Sequence, residues 1–400
     1  MIQLYGGKEM NIGIISINAH TKVLNFASPL HSYAFQQFLE MNGYKDSLII
    51  DYKPNYYGSY DPKYPYFYHR KHKDKDPKKQ KELEHRWLKM FFARRTRFNK
   101  IQRFIDKYYK TTSKCYTAKI LDTEDVEEGI DCYICATDVI WRCNKKAAFD
   151  KGFFLACNSM EDKAKIAYSA SRGPTKYAPD KEKLFLEYIS KFDHISVREK
   201  SLKEYIESIS DIPVTQVLDP VLLHEADFYN HIIKRPRKKK KGYVLIYIVM
   251  QKASSLVKLA VDFAKKHDLE VVELSDYVEH VPNGAKHKVR YNIGIEEWLG
   301  YMHDAEYIFT NSFHACCFSI LFEKQFFVGK RDGDKILSLL EMFGLTDRMV
   351  ANCFEGKKFI GTDIDYEPIN KKRSEYKKIS SDFILGALRD VEEKRKNMDA

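Results

Sequence analysis

Asn11–Ile17 has the sequence NIGIISI, a short apolar run typical of a buried strand. A helical pattern follows over residues 29–41 and ends at Asn42-Gly43, a common helix stop. Asp46–Tyr52 (DSLIIDY) then predicts a second buried strand. A strand, a helix and a strand within about forty residues form a βαβ unit, which favours a parallel sheet.

The same alternation continues along the rest of the chain. In the first half it predicts strands at 131–136, 165–169, 194–197 and 214–217, and helices at 181–191 and 201–208. In the second half it predicts strands at 243–250, 270–274, 307–310 and 325–328, and helices at 254–267, 296–303, 315–322 and 383–394. We therefore expect an α/β protein with two Rossmann-like, doubly wound domains that face a cleft.

The length of 400 residues suits two domains of moderate size. We expect a leader at 1–10, an N-terminal domain at 11–230, a basic linker at 231–242, a C-terminal domain at 243–365 and a final helix at 366–400. The final helix is expected to pack back on the N-terminal domain. A basic, aromatic-rich insertion at about 53–110 interrupts the N-terminal domain, as an irregular loop at 53–77 and a helix at 78–110.

Composition excludes several classes of protein. No apolar run reaches the roughly 18 residues that span a bilayer, and the N-terminus lacks the pattern of a secretory signal. We therefore expect a cytoplasmic protein. Its eight scattered cysteines predict reduced thiols rather than a disulfide framework. Cys132-x-x-Cys135 lies within a strand and has no second pair at zinc spacing, so we expect no metal and no cofactor.

The net charge of +11 is concentrated in one segment. Residues 63–107 contain sixteen Lys and Arg against five Asp and Glu, an excess equal to that of the whole chain. A second basic run, Lys234–Lys241, is interrupted only by Pro236. Such runs suggest an anionic partner, although a solvated linker is the better interpretation of the short second run. The helix at 78–110 suits either a membrane interface or packing on its own domain.

Polar residues follow five of the predicted strands, where an open α/β sheet binds its ligands. These positions are Thr137-Asp138, Ser169–Gly173, Arg198-Glu199, Asp219-Pro220 and Thr310–His314. Two of them carry arginine, whose planar fork suits phosphate and carboxylate. His314 stands at a strand-to-helix turn, where free N–H groups favour an anion. The pattern therefore predicts an anionic ligand in the cleft.

Taken together, these stretches resemble the polysaccharide pyruvyl transferase family. The resemblance spans about Asn11 to Arg348, and its weight lies in the number and order of its motifs. The motifs are Asn25–Ala34 (NFASPLHSYA), Ala136–Trp141 (ATDVIW), Tyr168–Gly173 (YSASRG), Ile195–Lys200 (ISVREK), Val217–Pro220 (VLDP), Thr310–Ala315 (TNSFHA) and the late helix that begins at Lys335 (KILSLL). Ala27, Asn311 and Ala315 stand where the family pattern has Gly, Asp and Gly.

The resemblance implies a fold like that of GT-B glycosyltransferases. It also implies transfer of pyruvate from phosphoenolpyruvate, as co-substrate, to two hydroxyls of a sugar, which forms a cyclic ketal in bacterial capsular or exopolysaccharide biosynthesis. The acceptor in this family is often linked to a lipid pyrophosphate. This gives the basic segment a role in peripheral contact with the anionic inner membrane.

On this basis we assign roles to individual residues. His314 and Asp138 are expected to be catalytic, with His314 as general acid or phosphate ligand and Asp138 on the acceptor hydroxyl. Phosphoenolpyruvate is expected to be bound by Arg198, Arg172 and Ser312. The acceptor is expected to be bound by Asn25 and Asn311.

Two alternatives from other classes stay open at this point. The first is a GT-B glycosyltransferase that uses a nucleotide sugar, because it shares the architecture and the ligand-binding edge. The second is a non-catalytic protein that binds nucleic acid or sugar. Its nucleic-acid form is disfavoured because the basic residues cluster in one insertion without a nucleic-acid motif, so we expect no nucleic acid as partner.

Overall fold

A computed structural model describes residues 10–18, 20–21, 23–57, 76–143, 148–173, 177–237, 241–250, 253–275 and 287–399. Residues 1–9 of the predicted leader and 58–75 of the predicted insertion lie outside this description. Met10, the last residue of the predicted leader, is buried in one cluster with Ile12 and Phe35, so the core includes it. Within the described residues, no helix has the length and apolar character needed to cross a membrane.

The first sheet has six parallel strands among the described residues, in the order β2-β1-β3-β4-β5-β6. The strands are β1 (Ile12–Ile15), β2 (Leu48–Ile49), β3 (Cys132–Asp138), β4 (Ala164–Ala170), β5 (His194–Val197) and β6 (Val214–Gln216). Helices cover both faces, so β1 is buried throughout and its sequence is a continuous apolar run. Its helices are α1 (Ala27–Met41), α2 (Pro77–Lys89), α3 (Phe91–Tyr108), α4 (Ala118–Leu121), α5 (Pro179–Ile189) and α6 (Lys200–Ile209).

The second sheet has five parallel strands among the described residues, in the order β11-β10-β7-β8-β9. The strands are β7 (Tyr243–Ile248), β8 (Glu270–Ser275), β9 (Lys288–Arg290), β10 (Tyr307–Thr310) and β11 (Gln325–Val328). The helices of this half are α7 (Ser254–Lys266), α8 (Ile295–Asp304), α9 (Phe313–Leu321), α10 (Lys335–Phe343) and α11 (Val350–Cys353). A short antiparallel pair, β12 (Phe354–Glu355) and β13 (Lys358–Phe359), follows α11.

This architecture confirms the expected α/β class with two Rossmann-like parallel sheets. The eight cysteines, all of them described, are free thiols, as expected. The single helix predicted at 78–110 is instead two helices that meet at Met90. The break places the Arg94 guanidinium 4.9 Å from the centre of the Trp87 ring, while Trp87 packs in one cluster with Tyr291. Tertiary packing rather than a Gly or Pro explains the break, because neither residue type occurs there.

A long final helix, α12 (Glu367–Asp399), returns from the second half to the first sheet. Its apolar residues Ile384 and Leu388 belong to the cluster that contains β1. The Ser380 hydroxyl accepts a hydrogen bond from the Leu218 N–H at 2.9 Å. The helix is close to the 366–400 expected for the final segment. The apolar pattern alone marked only 383–394, because most of the helix surface is charged and its apolar face is sparse.

The helix α3 from the basic insertion joins the two halves. Arg97 of α3 is fully buried, and its guanidinium donates to the carbonyl oxygens of Leu24 in the first half and of Ser275 and Tyr291 in the second. The same guanidinium lies 4.1 Å from the centre of the Phe26 ring. The apolar face of α3 that contains Ile101 and Phe104 is therefore buried between the halves, whereas Leu88 of α2 and Phe92 of α3 are 55% and 77% exposed. The cluster it enters, which contains Tyr33, Phe104, Trp298 and Phe318, has members from both halves.

We expect Arg97→Met to lower the free energy of unfolding by about 3 kcal/mol, because three carbonyl oxygens lose a charged donor that water cannot replace. Urea denaturation followed by circular dichroism measures this change. Arg95→Met on the exposed face of the same helix is the matched control and should change stability by less than about 0.5 kcal/mol. Equal stability of the two variants would contradict the bridging role of Arg97.

Candidate functional site

A cleft of about 450 Å³ lies where carboxyl ends of strands from both sheets meet. The first half contributes Asn25 before α1 and Asp138 at the end of β3. The second half contributes Ser312, His314 and Lys335. In open parallel sheets this edge is the usual ligand site, so the cleft is the candidate active site.

Beneath the cleft, the guanidinium of Arg198 is buried among three carboxylates. Its Nη1 lies 3.0 Å from Asp219 Oδ2, its Nη2 lies 3.2 Å from Asp138 Oδ1, and its Nε lies 3.6 Å from Glu199 Oε1. Only 2% of the Arg198 side chain is exposed. Burial alone would lower the pKa of Arg198, but the carboxylates raise it, so the group stays charged. The ring of Phe313 covers the guanidinium, with its centre 4.1 Å away.

The backbone at the end of β3 is strained, and this strained turn positions Asp138 and a hydrogen bond to Asp219, two of the partners of Arg198. Thr137 and Asp138 have φ angles of 57° and 62°, in the left-handed region that a β-branched residue rarely adopts. Each such residue costs about 1–3 kcal/mol, so surrounding contacts must hold it. The Thr137 hydroxyl donates to Asp219 Oδ2 at 3.2 Å, and the Asp138 carbonyl oxygen accepts from the Ser171 N–H at 3.1 Å. The turn thus aims the Asp138 carboxylate at Arg198.

His314 lies in the first turn of α9 and lines the cleft. Its Nε2 is 3.3 Å from Asp219 Oδ2, so the carboxylate that pairs with Arg198 also orients this imidazole. Burial alone would raise the pKa of Asp219, but His314 and Arg198 outweigh it and hold that pKa far below its ordinary value. The imidazole of His31, from α1, stacks on His314 with ring centres 5.5 Å apart.

His31 is fully buried, and sequence analysis did not single it out as a site residue. Burial, followed by the proximity of His314, lowers the pKa of His31 to about 4. At neutral pH His31 is therefore an uncharged ring. Its position within a helix gave no signal, because a histidine on an apolar helix face resembles a core residue.

Lys335 is the second functional candidate that sequence analysis missed. Its Nζ lies 3.7 Å from Asp138 Oδ1, and its side chain is 15% exposed in the cleft. Burial lowers the pKa of Lys335 to about 8, with Asp138 acting in the opposite direction. Burial alone would raise the pKa of Asp138, but Lys335 and Arg198 hold it well below its ordinary value. The sequence could have indicated Lys335 through its place in the late-helix motif, because it is the first residue of α10 and lies at the edge of the cleft.

The structure brings Asp138, Arg198 and His314 together, as the sequence analysis expects, although their roles stay predictions. Ser312 also lines the cleft, and its Oγ accepts from the Ala315 N–H at 3.4 Å as the cap of α9. Asn25 lines the cleft as well, and its Oδ1 accepts from the Ser28 N–H at 2.7 Å.

Three predicted site residues do not line the cleft: Arg198, which is buried beneath it, Asn311 and Arg172. Asn311 is fully buried, and its amide is hydrogen bonded to the N–H of Val249 at 2.8 Å and to its carbonyl oxygen at 3.2 Å. This amide therefore ties β10 to the end of β7. The Arg172 guanidinium lies 4.4 Å from the centre of the Tyr205 ring. Neither contact supports the predicted ligand-binding role, because each side chain is directed at protein partners.

Three helices begin at the cleft: α1 near Asn25, α9 at Ser312 and α10 at Lys335. The first N–H groups of a helix lack partners within the helix, and the helix dipole adds positive potential there. Together with His314 and Lys335, these ends make one region of the cleft suited to an anion with several oxygens.

Among the described residues, one group of side chains outside the cleft could offer ligands to a metal: His20, Asp51 and Cys115. His20 Nε2 lies 2.6 Å from Asp51 Oδ1 and 3.6 Å from Cys115 Sγ. The histidine and the carboxylate already pair with each other, and Cys115 is exposed. We assign no metal to this group, and the expectation that the protein needs none stays a prediction.

We expect Asp219→Asn to lower the free energy of unfolding by about 2 kcal/mol or more at pH 7, because Arg198 loses a buried counter-charge. A carboxyl whose folded pKa is lowered stabilises the fold above its unfolded pKa of about 3.9, and this stabilisation is lost as pH falls through the folded value. Urea denaturation from neutral to acid pH should therefore show a shallower acid decline in the variant.

The control for this experiment is Asp211→Asn, at an exposed carboxylate, which should change stability by less than about 0.5 kcal/mol. If the free energy of unfolding of Asp219→Asn falls as steeply toward acid pH as that of the wild type, Asp219 is not the carboxyl that causes the loss of stability in acid.

Solved structures with the same arrangement of two sheets are known. A UDP-N-acetylglucosamine 2-epimerase from Rickettsia bellii aligns with a TM-score of 0.52 at 10% identity, over 96% of this chain and 98% of that one. A protein described as such an epimerase from Listeria monocytogenes aligns with a TM-score of 0.50 at 10% identity, over 94% and 90%. The glycosyltransferase SnogD from Streptomyces nogalater reaches 0.39 at 10% identity, over 96% and 99%, which is too low to support a shared fold by itself.

The likeness to these structures confirms the expected GT-B-like fold, and at 10% identity it carries no information about the substrate. No curated protein sequence matches the chain. The family model for polysaccharide pyruvyl transferases matches residues 30–328, which is most of the chain and includes Asp138, Arg198 and His314. This match and the fold agree with the resemblance seen in the motifs, and the chain belongs to the polysaccharide pyruvyl transferase family.

Proposed function

We propose that this enzyme transfers pyruvate from phosphoenolpyruvate to two hydroxyls of a sugar and forms a cyclic ketal. The observation that carries the proposal is the position of His314 and Lys335 beside three helix N-termini in one cleft. The donor has a phosphate and a carboxylate, and this region offers them the Lys335 ammonium, the His314 imidazole and the positive ends of three helices. Membership of the family supplies the sugar acceptor.

Lys335 and Arg331 are the cations that we assign to the donor, because both line the cleft in the second half. Arg331 Nη1 donates to the carbonyl oxygen of Asn311 at 3.2 Å, which fixes its guanidinium at the end of β10. The Ser312 hydroxyl and the first N–H groups of α9 and α10 supply neutral donors. Arg198 is assigned a positioning role instead, because its charge is already matched by three carboxylates.

His314 is assigned as the acid that protonates C3 of the enol group. Protonation makes C2 an oxocarbenium-like centre, and the first sugar hydroxyl adds to it. The bond from C2 to the phosphate oxygen then breaks and leaves its electron pair on phosphate, and the second hydroxyl closes the ketal ring. Two protons leave the acceptor. One restores His314 and the other departs with phosphate, so the step is balanced.

Asp138 is assigned to the acceptor side of the cleft. Its carboxyl has a pKa well below the ordinary value, so it stays ionised and is a weak proton acceptor. We therefore assign it to accept a hydrogen bond from the attacking hydroxyl and to hold Lys335, rather than to remove the proton. Asn25, on the opposite wall beside α1, completes the acceptor side.

The wider setting that we propose is the synthesis of a bacterial capsular or exopolysaccharide, on an acceptor linked to a lipid pyrophosphate. The family and the sugar acceptor support this setting. Contact with an anionic inner membrane remains part of the proposal. It requires surface outside the buried face of α3, because Arg97, Ile101 and Phe104 are enclosed by protein.

The direct test measures phosphate release from phosphoenolpyruvate with galactosides, glucosides and N-acetylhexosamines, simple and lipid-linked, and detects the ketal by mass spectrometry. We expect His314→Gln to lower acceptor-dependent release by about 10²–10⁴-fold while the fold is retained, since general acid catalysis contributes that much. His267→Gln, at an exposed ring that does not line the cleft, should retain the wild-type rate.

Two results would contradict the proposal. The first is full activity in His314→Gln. The second is release of a nucleoside diphosphate from a nucleotide sugar in the absence of phosphoenolpyruvate binding, which would favour the glycosyltransferase alternative.

The KM for phosphoenolpyruvate should rise as pH passes about 8, because the lowered pKa of Lys335 means that its cation is present below that pH and lost above it. The phosphate of the donor is already ionised there, since its second pKa is about 6. In Lys335→Arg the guanidinium stays charged, so the rise should disappear. In Lys335→Met the KM should be high at every pH. If the KM of Lys335→Arg for phosphoenolpyruvate rises at the same pH as that of the wild type, Lys335 is not the group whose titration causes the rise.

A further inference from the structure

A second cavity, of about 590 Å³, lies apart from the cleft and shares no lining residue with it. Five of its ten lining residues are cations, whereas one is a carboxylate. The cations are Lys100, Lys234, Arg235, Arg237 and Arg290, and the carboxylate is Glu297. We call this cavity, defined by those residues, the basic groove. Neither the fold nor the proposed transfer reaction accounts for it.

The basic groove is formed where the two basic runs of the sequence meet. Lys100 comes from α3 in the first run, and Arg235 and Arg237 come from the second. Arg290 ends β9, the edge strand of the second sheet. Cations from three distant parts of the chain therefore face one concavity. Two unrelated solvated runs would have no reason to converge in this way.

One wall of the basic groove is formed by Lys234 and the residues that follow it, and contacts with α8 hold its backbone in place. The Lys234 N–H donates to the carbonyl oxygen of Glu296 in α8 at 2.9 Å. Gly300 of α8 allows this close approach, because a Cβ at that position would lie 2.1 Å from the Lys234 carbonyl oxygen. The backbone at Lys234 and Arg235 thus lies directly on α8, so their side chains extend from a defined position.

The opposite wall is held by α3. Lys100 Nζ donates to the carbonyl oxygen of Asn292 at 3.0 Å, and Arg94 donates to the hydroxyl of Tyr291 at 3.1 Å. These bonds fix the segment that follows β9. Arg290 Nε is buried there without a hydrogen-bond partner among the described residues. Arg290 also lines the cavity, so its guanidinium can offer further N–H groups to an anion there.

Carboxylates cancel only part of the charge. Glu297 lies 2.6 Å from Lys100 Nζ through one oxygen and 3.9 Å from Lys234 Nζ through the other. Arg235 lies 3.5 Å from Asp304. With both carboxylates counted against the five cations, 5 − 2 leaves an excess of three positive charges. The groove is therefore poised for an anion of similar charge.

We propose that the basic groove binds the diphosphate group of an organic ligand. A diphosphate has a charge close to the excess of three, and its oxygens suit the planar forks of three arginines. The cavity is larger than this group alone, so it leaves room for a substituent. Its concave shape favours a compact anion over the extended backbone of a nucleic acid. The proposal does not depend on the identity of the reaction in the cleft.

The test is equilibrium binding of inorganic pyrophosphate to the full chain by calorimetry. In Arg235→Gln/Arg290→Gln the Kd should rise about tenfold or more, because two charged donors are lost. Binding to the wild type should also weaken as salt increases. The matched control is Lys200→Gln/Lys378→Gln, which removes the same charge at side chains that are 64% and 76% exposed outside the groove. The control should bind as the wild type does.

Competition separates the groove from the cleft. Pyrophosphate bound in the groove should remain bound in the presence of phosphoenolpyruvate and in His314→Gln. Uridine diphosphate represents a soluble ligand, and farnesyl diphosphate represents a lipid-borne one. The compound that resembles the natural ligand should bind more tightly than pyrophosphate, and its binding should weaken in Arg235→Gln/Arg290→Gln. Displacement by phosphoenolpyruvate, an equal loss in both double variants, or no effect of the arginine substitutions would each overturn the proposal.

Discussion

The buried charge of Arg198 is the constraint on which the site depends. A guanidinium that is 2% exposed is tolerated only where carboxylates surround it, and three do so from the ends of neighbouring strands in the first sheet. Two of those carboxylates also contact side chains that line the cleft. Asp219 orients His314, and Asp138 faces Lys335. One cation beneath the floor of the cleft thus fixes groups that come from the other half of the molecule.

Local patterns in the sequence were sufficient to predict every strand of the two parallel sheets except β9. Buried parallel strands are continuous apolar runs, such as Tyr243–Ile248, and the helices between them have a clear apolar period. The patterns failed where a segment depends on a distant partner. The edge strand β9 was not predicted, because Val289 is its one apolar residue and it is defined by its pairing with β8. The split at Met90 likewise depends on Tyr291, about 200 residues later in the chain.

The candidate site divides in the same way. Strand ends converge in any open parallel sheet, so the sequence alone could place Asp138, Arg198 and His314 near one another. It could not tell which arginine is exposed, because burial depends on packing between the halves. Arg198, which the sequence analysis assigned to the donor, is enclosed by carboxylates and Phe313. Lys335, which it did not assign, lines the cleft. His31 escaped notice because its importance comes from a ring on another helix.

The return of α12 to the first sheet has a consequence for the growing polypeptide. The face of the sheet that contains Met10 and Ile12 is completed by Ile384, Leu388 and Val391, which are synthesised last among its members. Until the ribosome has passed residue 391, that apolar face is covered by α1 but lacks the contribution of α12. The N-terminal half therefore cannot finish folding as it emerges. This sheet gains the cover that α12 supplies only when nearly all of the chain described by the structure has been made.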